Sequence, residues 1–214
     1  MRELDARRAL VEVAKRLDDA GLNHNSSGNV SVRADSGIVV SPSGIPAHVL
    51  APDDCVVLDD DGVAVDRHHH APTSEWRLHV ALHRRADVDA VVHTHSPEAT
   101  AAATLARPVP AVHYVVARFG SMSLPCSPYA TYGTAELAQH VAATLGSRGK
   151  ACLMANHGAV AVGGDLSTAM ALALDVEWLC GVHRRACQLG EPHVLADDEI
   201  DRVARLFAGY GQRR

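Results

Sequence analysis

The stretch that most constrains how this chain can fold is residues 90–98, which read Ala-Val-Val-His-Thr-His-Ser-Pro-Glu. It begins with a β-branched run, which favours a buried strand. His93 and His95 are two positions apart, and alternate residues of a strand share one face. Both imidazoles therefore point the same way, with Cα atoms roughly 6.6 Å apart, which suits two ligands of one small cation.

A third ligand is needed before this pattern indicates a metal site, because 14 of the 214 residues are His and a His-x-His pair arises easily by chance. His157 is the candidate, since it lies between two apolar segments and precedes Gly158. By itself His157 is better explained as a core histidine bonded to a backbone carbonyl. Three imidazoles with an open fourth position, however, are typical of a catalytic zinc site rather than a structural one.

Glu75 is the candidate acidic partner of these histidines. It follows Thr73 and Ser74, either of which is a natural N-cap, and a carboxylate in the first turn suits the helix dipole. That favourable placement is a sufficient structural explanation. The chemical alternative is a fourth ligand that becomes a base when substrate displaces it.

A run of three adjacent histidines, residues 68–70, also suggests a metal site. We discount it because the run lies in a loop whose backbone would have to be ordered before the imidazoles could converge. A solvated loop is the simpler interpretation.

Three short polar loops have the composition of an anion site. Each combines hydroxyls with exposed amides, a Gly or a helix N-terminus, which together favour phosphate. None has the spacing of a nucleotide-binding loop, and each alone is an ordinary turn. The loop residues are Ser26, Gly28, Asn29, Ser43, Gly44, Thr73 and Ser74.

Composition excludes several classes of protein. The net charge is −5 without a basic block, which argues against nucleic acid as a partner. No apolar run approaches the ~20 residues of a membrane span. The five Cys lack C-x-x-C spacing and the N-terminus is charged, so we expect reduced thiols and a cytoplasmic location.

The segment pattern mixes helices and strands without βαβ alternation, so we expect a mostly antiparallel or mixed sheet covered by helices. The chain is predicted to form a single domain over residues 1–214, with a flexible tail at about 209–214. Helices are predicted at about 2–20, 97–107, 134–145, 167–189 and 197–208, and a further helix is predicted to open at 72–76. Strands are predicted at 30–33, 38–41, 55–58, 63–66, 151–155 and 159–162, and a further strand is predicted to begin at residue 90.

Eight short stretches follow one another along the chain, namely GLN at 21–23, GNVSVR at 28–33, PSGIP at 42–46, SEWR at 74–77, VVHTH at 91–95, HY at 113–114, PCSPYATYGT at 125–134 and HG at 157–158. Together they resemble the class II aldolase/adducin family over nearly the whole chain. The resemblance implies a three-layer α/β/α fold around a central, mostly antiparallel sheet. It also implies a homotetramer with active sites at subunit interfaces.

The resemblance also implies roles for individual residues. One Zn²⁺ per subunit would be held by His93, His95 and His157. Glu75 would be a ligand in the resting site and the acid/base during turnover. The three polar loops would bind the substrate phosphate.

Two tyrosines would complete the implied site. Tyr114, supplied by a neighbouring subunit, would handle the proton at the aldehyde oxygen. Tyr210, in the C-terminal tail, would close over the site.

The activity that the resemblance implies is cleavage of a ketose 1-phosphate to dihydroxyacetone phosphate and an aldehyde. L-fuculose 1-phosphate, which gives L-lactaldehyde, is the first expectation. L-ribulose-5-phosphate 4-epimerase and methylthioribulose-1-phosphate dehydratase chemistry are alternatives on the same fold. A non-catalytic adducin-like module is disfavoured, because such modules lose the metal ligands that this chain retains.

Overall fold

A computed structural model describes residues 1–65, 69–207 and 209 of the chain. The helices are α1 (Glu3–Asp19), α2 (Trp76–His83), α3 (Pro97–Ala103), α4 (Ala135–Leu145), α5 (Leu166–Leu189) and α6 (Asp197–Phe207). The strands are β1 (Asn29–Ala34), β2 (Gly37–Val40), β3 (Val56–Leu58), β4 (Ala90–Thr94), β5 (Cys126–Ser127), β6 (Ala151–Met154) and β7 (Gly158–Gly163).

The strands form one sheet in the order β3-β2-β1-β4-β7-β6-β5. Every pair is antiparallel except β5 with β6. Helices α1, α3 and α5 pack on one face of this sheet, while α2 and α4 pack on the other. The predicted three-layer α/β/α arrangement with a mostly antiparallel sheet is therefore confirmed.

Local sequence explains why the elements form where they do. In α1, Leu10, Val13, Ala14 and Leu17 repeat at helical spacing, and all four are buried against the sheet. The chain leaves this helix through Gly21, whose φ of +71° is unfavourable for other residues. None of the helices in the described residues is long and apolar enough to cross a membrane.

Two segments differ from the sequence prediction. Residues 63–66 were expected to be a strand, but pairing in the described part is limited to a single bridge between Ala64 and Leu58. Val63 and Val65 are more than half exposed, so no layer covers this segment to stabilise a longer strand. In the stretch predicted as a loop at 121–132, the two-residue β5 adds to the sheet edge beside β6.

Strand β4 lies in the middle of the sheet, between β1 and β7, and it carries the histidine motif. Ala90 and Val92 belong to the core beneath α5, whereas Val91 faces α2 and α4. His93 shares the face of Val91 because side chains alternate along a strand. The register places Asn29 of β1 opposite His93.

The turn between β6 and β7 brings in His157. Asn156 takes a φ of +54° there and donates its backbone N–H to the Ala103 carbonyl at 3.1 Å. Gly158 then follows so closely behind β4 that an added Cβ would overlap the Thr94 carbonyl oxygen. The absence of a side chain at this position is what lets the turn approach the end of β4.

We expect Gly158→Ala to destabilise the protein by about 1–3 kcal/mol, because β7 must move away from β4 to admit the methyl group. Urea unfolding of metal-free protein measures the loss. Gly164→Ala is the matched control, since an added Cβ there meets nothing within 4 Å. Equal stability of the two variants would show that close approach at Gly158 is not required.

Candidate metal centre

Four side chains from three parts of the sequence converge on one point. The ligand atoms of Glu75, His93, His95 and His157 all lie within 4.8 Å of one another. The Nε2 atoms of His93 and His95 are 2.9 Å apart. The three rings meet nearly edge to face, with centroids 4.7–4.9 Å apart. The structure therefore brings together all four metal-ligand candidates.

His93 has a fixed orientation. Its ring is fully buried, and its Nδ1–H donates to the Ala159 carbonyl at 2.9 Å. With that hydrogen bond made, Nε2 of His93 faces the cluster, where it can ligate a metal once it gives up its proton. A backbone carbonyl on the far nitrogen is the usual support for a metal-bound imidazole.

Glu75 occupies the N-cap position of α2 and is 4% exposed. Its Oε2 accepts from Asn29 Nδ2 at 3.0 Å and lies 3.0 Å from His93 Nε2. Its Oε1 lies 3.4 Å from His157 Nε2 and has no hydrogen-bond partner, although it is buried. A buried carboxylate oxygen without a donor, facing three imidazole nitrogens, fits a divalent cation.

Burial and mutual charge determine the protonation of the cluster. Burial raises the pKa of Glu75, but the charge and hydrogen bond of His93, with His157 and Asn29, hold it well below its usual range. Burial, and then the neighbouring imidazoles, lower the pKa of His95 to about 3 and that of His157 to about 4. These two histidines are consequently neutral near pH 7, as metal ligation requires.

The three polar loops also converge beside the cluster. Ser41 links the first two, because its amide donates to the Val30 carbonyl at 3.0 Å and its hydroxyl accepts from the Val30 amide. Thr73 N donates to Ser41 O at 3.0 Å, which adds the third loop. These hydrogen bonds place the three loops next to one another within one chain.

The loops differ in what they expose. Ser26, Ser43, Gly44 and Ser74 are exposed, whereas Thr73 is buried and its Oγ1 accepts from the Glu75 amide. Gly28, at a φ of +79°, has no room for a Cβ because the Asn23 side chain lies against it.

Tyr114 lies elsewhere in the chain. It begins a 3₁₀ helix, Tyr114–Phe119, and is half exposed. The ring contacts described for it are with His113 and Phe207, both outside the histidine cluster. Tyr210 lies outside the described residues.

The discounted histidine run is only partly described. His69 is exposed, and His70 Nε2 lies 3.2 Å from Asp54 Oδ1, while His68 lies outside the described residues. Among the residues that the structure describes, the Glu75 group is the only cluster of three or more possible ligands.

The sequence analysis missed a buried polar chain behind Glu75. Both ends of the Asn29 amide are engaged, one with Glu75 and the other with His79. Ser31 lies between His79 and His83 at 2.7 and 2.8 Å. The sequence pattern that could have revealed this chain is the four-residue spacing of Glu75, His79 and His83, which places them on one face of a helix.

Comparison with known proteins identifies the family. The model for "Class II Aldolase and Adducin N-terminal domain" matches residues 8–183. The chain belongs to the class II aldolase and adducin family. The predicted family, the fold and the assignment to the lyases are confirmed by this match and by aldolase-named relatives. Class II aldolases are metal-dependent, in keeping with the Glu75 cluster.

Relatives of this class II aldolase differ in the substrates that their names state. A 5-methylthioribulose-1-phosphate/5-deoxyribulose-1-phosphate aldolase of Rhodospirillum rubrum is 45% identical, over 96% of this chain and 92% of the relative. The L-fuculose phosphate aldolase of Escherichia coli K12 is 40% identical, over 96% and 95%. A solved L-fuculose 1-phosphate aldolase superposes with a TM-score of 0.91 at 35% identity, covering 95% of this chain and 96% of the other.

We expect the metal-free protein to lose stability as the pH falls from about 6.5 to about 4. Burial, followed by neighbouring charges, lowers the pKa of His79 to about 3 and that of His83 to about 4. An unfolded His titrates near ~6.5. The unfolded chain therefore binds more protons than the folded chain in this window. The free energy of unfolding consequently decreases as the pH is lowered.

Urea unfolding in chelator across this range measures the slope. His79→Leu should make the slope shallower without abolishing it, because one imidazole with a lowered pKa is gone while His83, His95 and His157 remain. His48→Leu, a change at an exposed histidine, should keep the wild-type slope. Parallel curves for all three proteins would rule out this origin of the pH dependence.

Proposed function

We propose that this protein is a zinc-dependent aldolase that cleaves a ketose 1-phosphate to dihydroxyacetone phosphate and an aldehyde. The observation that carries the proposal is the convergence of Glu75 and three imidazoles beside three hydroxyl-bearing and glycine-bearing loops. Residues 1–214 would form one domain of the family. The cytoplasm is the proposed location, where its five unpaired cysteines stay reduced.

His93, His95 and His157 would hold the metal, with Glu75 as the fourth ligand of the resting site. Zinc in this position supplies Lewis-acid stabilisation of the negative charge that develops on the substrate oxygens as the carbon–carbon bond breaks. His93 is fully buried, whereas His95 and His157 are half-buried, so the open side of the site lies toward the latter two. No lysine is needed, and the cluster contains none.

The phosphate would bind where the three loops meet. Ser26, Ser43 and Ser74 expose hydroxyls there, while Gly28 and Gly44 allow an anion close to the backbone. Thr73 and Asn29 are buried beneath them. Because the phosphate is remote from the carbon–carbon bond that breaks, binding it would orient the sugar toward Glu75.

Glu75 is the proposed proton carrier. In the cleavage direction the hydroxyl proton at C4 leaves, the C3–C4 bond breaks, and C3 accepts a proton. Glu75 is ionised in the resting site, so it would have to take up one proton before delivering it to C3; the C4 hydroxyl releases one proton in the same turnover, which balances this uptake. Oε1 of Glu75, which has no hydrogen-bond donor, is free to carry the proton.

Tyr114 is the proposed group at the aldehyde oxygen. In its own chain the described ring contacts of Tyr114 are all away from the cluster, and half of the side chain is exposed. A homotetramer with interface sites, in which Tyr114 reaches the cluster of a neighbour, would use that exposure. Tyr210 is proposed to cover the same site.

The names of the relatives support three candidate substrates. L-fuculose 1-phosphate would give L-lactaldehyde. The 45% identical Rhodospirillum rubrum relative favours 5-deoxyribulose 1-phosphate, which would give acetaldehyde, or 5-methylthioribulose 1-phosphate, which would give methylthioacetaldehyde. All of these ketose 1-phosphates share the phosphate and the carbon atoms C1 to C3, which the proposed site would hold.

A coupled assay for dihydroxyacetone phosphate tests the proposal. Wild-type protein should carry about one zinc per chain and release the product from at least one of the three ketose 1-phosphates. Chelation should abolish turnover and zinc should restore it. Release from none of them, or full activity after chelation, would reject the proposal. Ribulose 5-phosphate and assays for dehydration in the same panel test the two alternatives.

Glu75→Gln should lower kcat by about 10²–10⁴-fold, the usual contribution of a proton-transferring group, while the protein still folds. Steady-state kinetics with the best substrate of the panel measure the loss. Glu98→Gln is the control, because Glu98 pairs with Arg184 on the surface and lies outside the cluster. Near-normal turnover of Glu75→Gln would remove Glu75 from the reaction.

A further inference from the structure

A chain of buried hydrogen bonds runs from Glu75 into the space between β1 and α2. Asn29 Nδ2 lies 3.0 Å from Glu75 Oε2, and Asn29 Oδ1 lies 2.5 Å from His79 Nε2. His79 Nδ1 lies 2.7 Å from Ser31 Oγ, which lies 2.8 Å from His83 Nε2. His79 and Ser31 are fully buried and His83 is 3% exposed.

The direction of these hydrogen bonds follows from Glu75. An ionised carboxylate only accepts, so Asn29 must direct its NH₂ toward Glu75 and its carbonyl oxygen toward His79. His79 must then carry its proton on Nε2, and its Nδ1 accepts from the Ser31 hydroxyl. His83 Nδ1 lies 3.2 Å from the Val88 carbonyl oxygen, so a neutral His83 donates there and turns the lone pair of Nε2 toward Ser31. Ser31 has one hydroxyl proton between two ring nitrogens, so the fixed direction of the hydrogen bonds runs from Glu75 through Asn29 to His79.

This direction matters because the two ends of an Asn amide have nearly the same shape. If the Asn29 side chain turned over, its carbonyl oxygen would face the Glu75 carboxylate, and its NH₂ would face an N–H of His79. Both contacts would be unfavourable in a buried site. Burial, followed by the charge of His83, lowers the pKa of His79 to about 3, so the ring keeps a single N–H near pH 7.

We propose that His79 is a positioning residue that holds the Glu75 carboxylate in place through Asn29. The proposal rests on the proposed role of Glu75 in aldol cleavage. His79 itself touches none of the three imidazoles of the cluster in the described contacts. Its effect on the reaction is therefore indirect: its N–H anchors the Asn29 carbonyl oxygen and so holds the Asn29 NH₂ against the carboxylate.

The test compares two substitutions at one position. His79→Leu keeps an apolar side chain in the space but removes the N–H. His79→Gln retains an amide N–H that can reach Asn29 Oδ1. His140→Leu, on α4 and half-buried, is the control for replacing a histidine in the same helical layer.

His79→Leu should lower kcat by about ten- to a hundred-fold, the effect of a small misplacement of a reacting group, with KM within threefold of wild type. His79→Gln should recover most of the rate, and His140→Leu should match wild type. A His79→Leu enzyme with normal kcat, or a loss that His79→Gln does not repair, would overturn the proposal.

A second readout does not depend on turnover. Groups that orient metal ligands typically contribute about 10–100-fold in metal affinity. Co²⁺ titration of metal-free protein should show weaker binding and an altered visible spectrum for His79→Leu, both restored in His79→Gln. Identical Co²⁺ spectra in wild type and His79→Leu would count against a positioning role. If the wild-type protein releases no dihydroxyacetone phosphate, aldol cleavage is rejected, but the Co²⁺ titration still tests the role of His79.

Ser31→Ala covers the case in which His79→Leu does not fold. It removes the hydroxyl that lies 2.7 Å from His79 Nδ1 and leaves that buried nitrogen without its hydrogen-bond partner. We expect kcat to fall, as for His79→Leu, but by a smaller factor. An unchanged kcat together with an unchanged Co²⁺ spectrum in Ser31→Ala would overturn the proposal that the hydrogen bonds behind Asn29 hold Glu75 in place.

Discussion

A buried carboxylate is the constraint around which this part of the molecule is arranged. Glu75 is 4% exposed, and an ionised group removed from water costs several kcal/mol unless partners replace the lost hydration. Asn29 and His93 supply part of that replacement at one oxygen. The other oxygen faces His157 and the centre of the cluster, where a cation would complete the compensation.

Sheet order determines which residues can take part. Strand β4 lies between β1 and β7, and the register sets Asn29 opposite His93 on one side and Val160 opposite His93 on the other. The turn before β7 then carries His157 to the end of β4, where Gly158 allows the close approach. Helix α2 covers the same face and has Glu75 at its N-cap position. One face of three neighbouring strands thus assembles the proposed ligands from distant parts of the chain.

The sequence predicted much of this site and overlooked one part of it. The spacing of His93 and His95 on a β-branched run indicated a shared face, and the structure places both in the cluster. The strand expected at 63–66 did not form beyond a bridge, because strand propensity alone provides no layer to cover Val63 and Val65. The sequence indicated only a phosphate-binding role for Asn29, because the two residues that its side-chain amide contacts lie 46 and 50 positions away in the chain.

By itself, the sequence determined the family, the order of the elements and the residue types able to bind a metal and a phosphate. These properties are set by short-range patterns, namely alternation along strands, helical spacing, and turns that need Gly. The tertiary structure alone decided that the three loops meet, that Glu75 is buried with one oxygen lacking a donor, and that His79 supports it through Asn29. Those facts depend on strand register and on packing between distant segments, which no local pattern encodes.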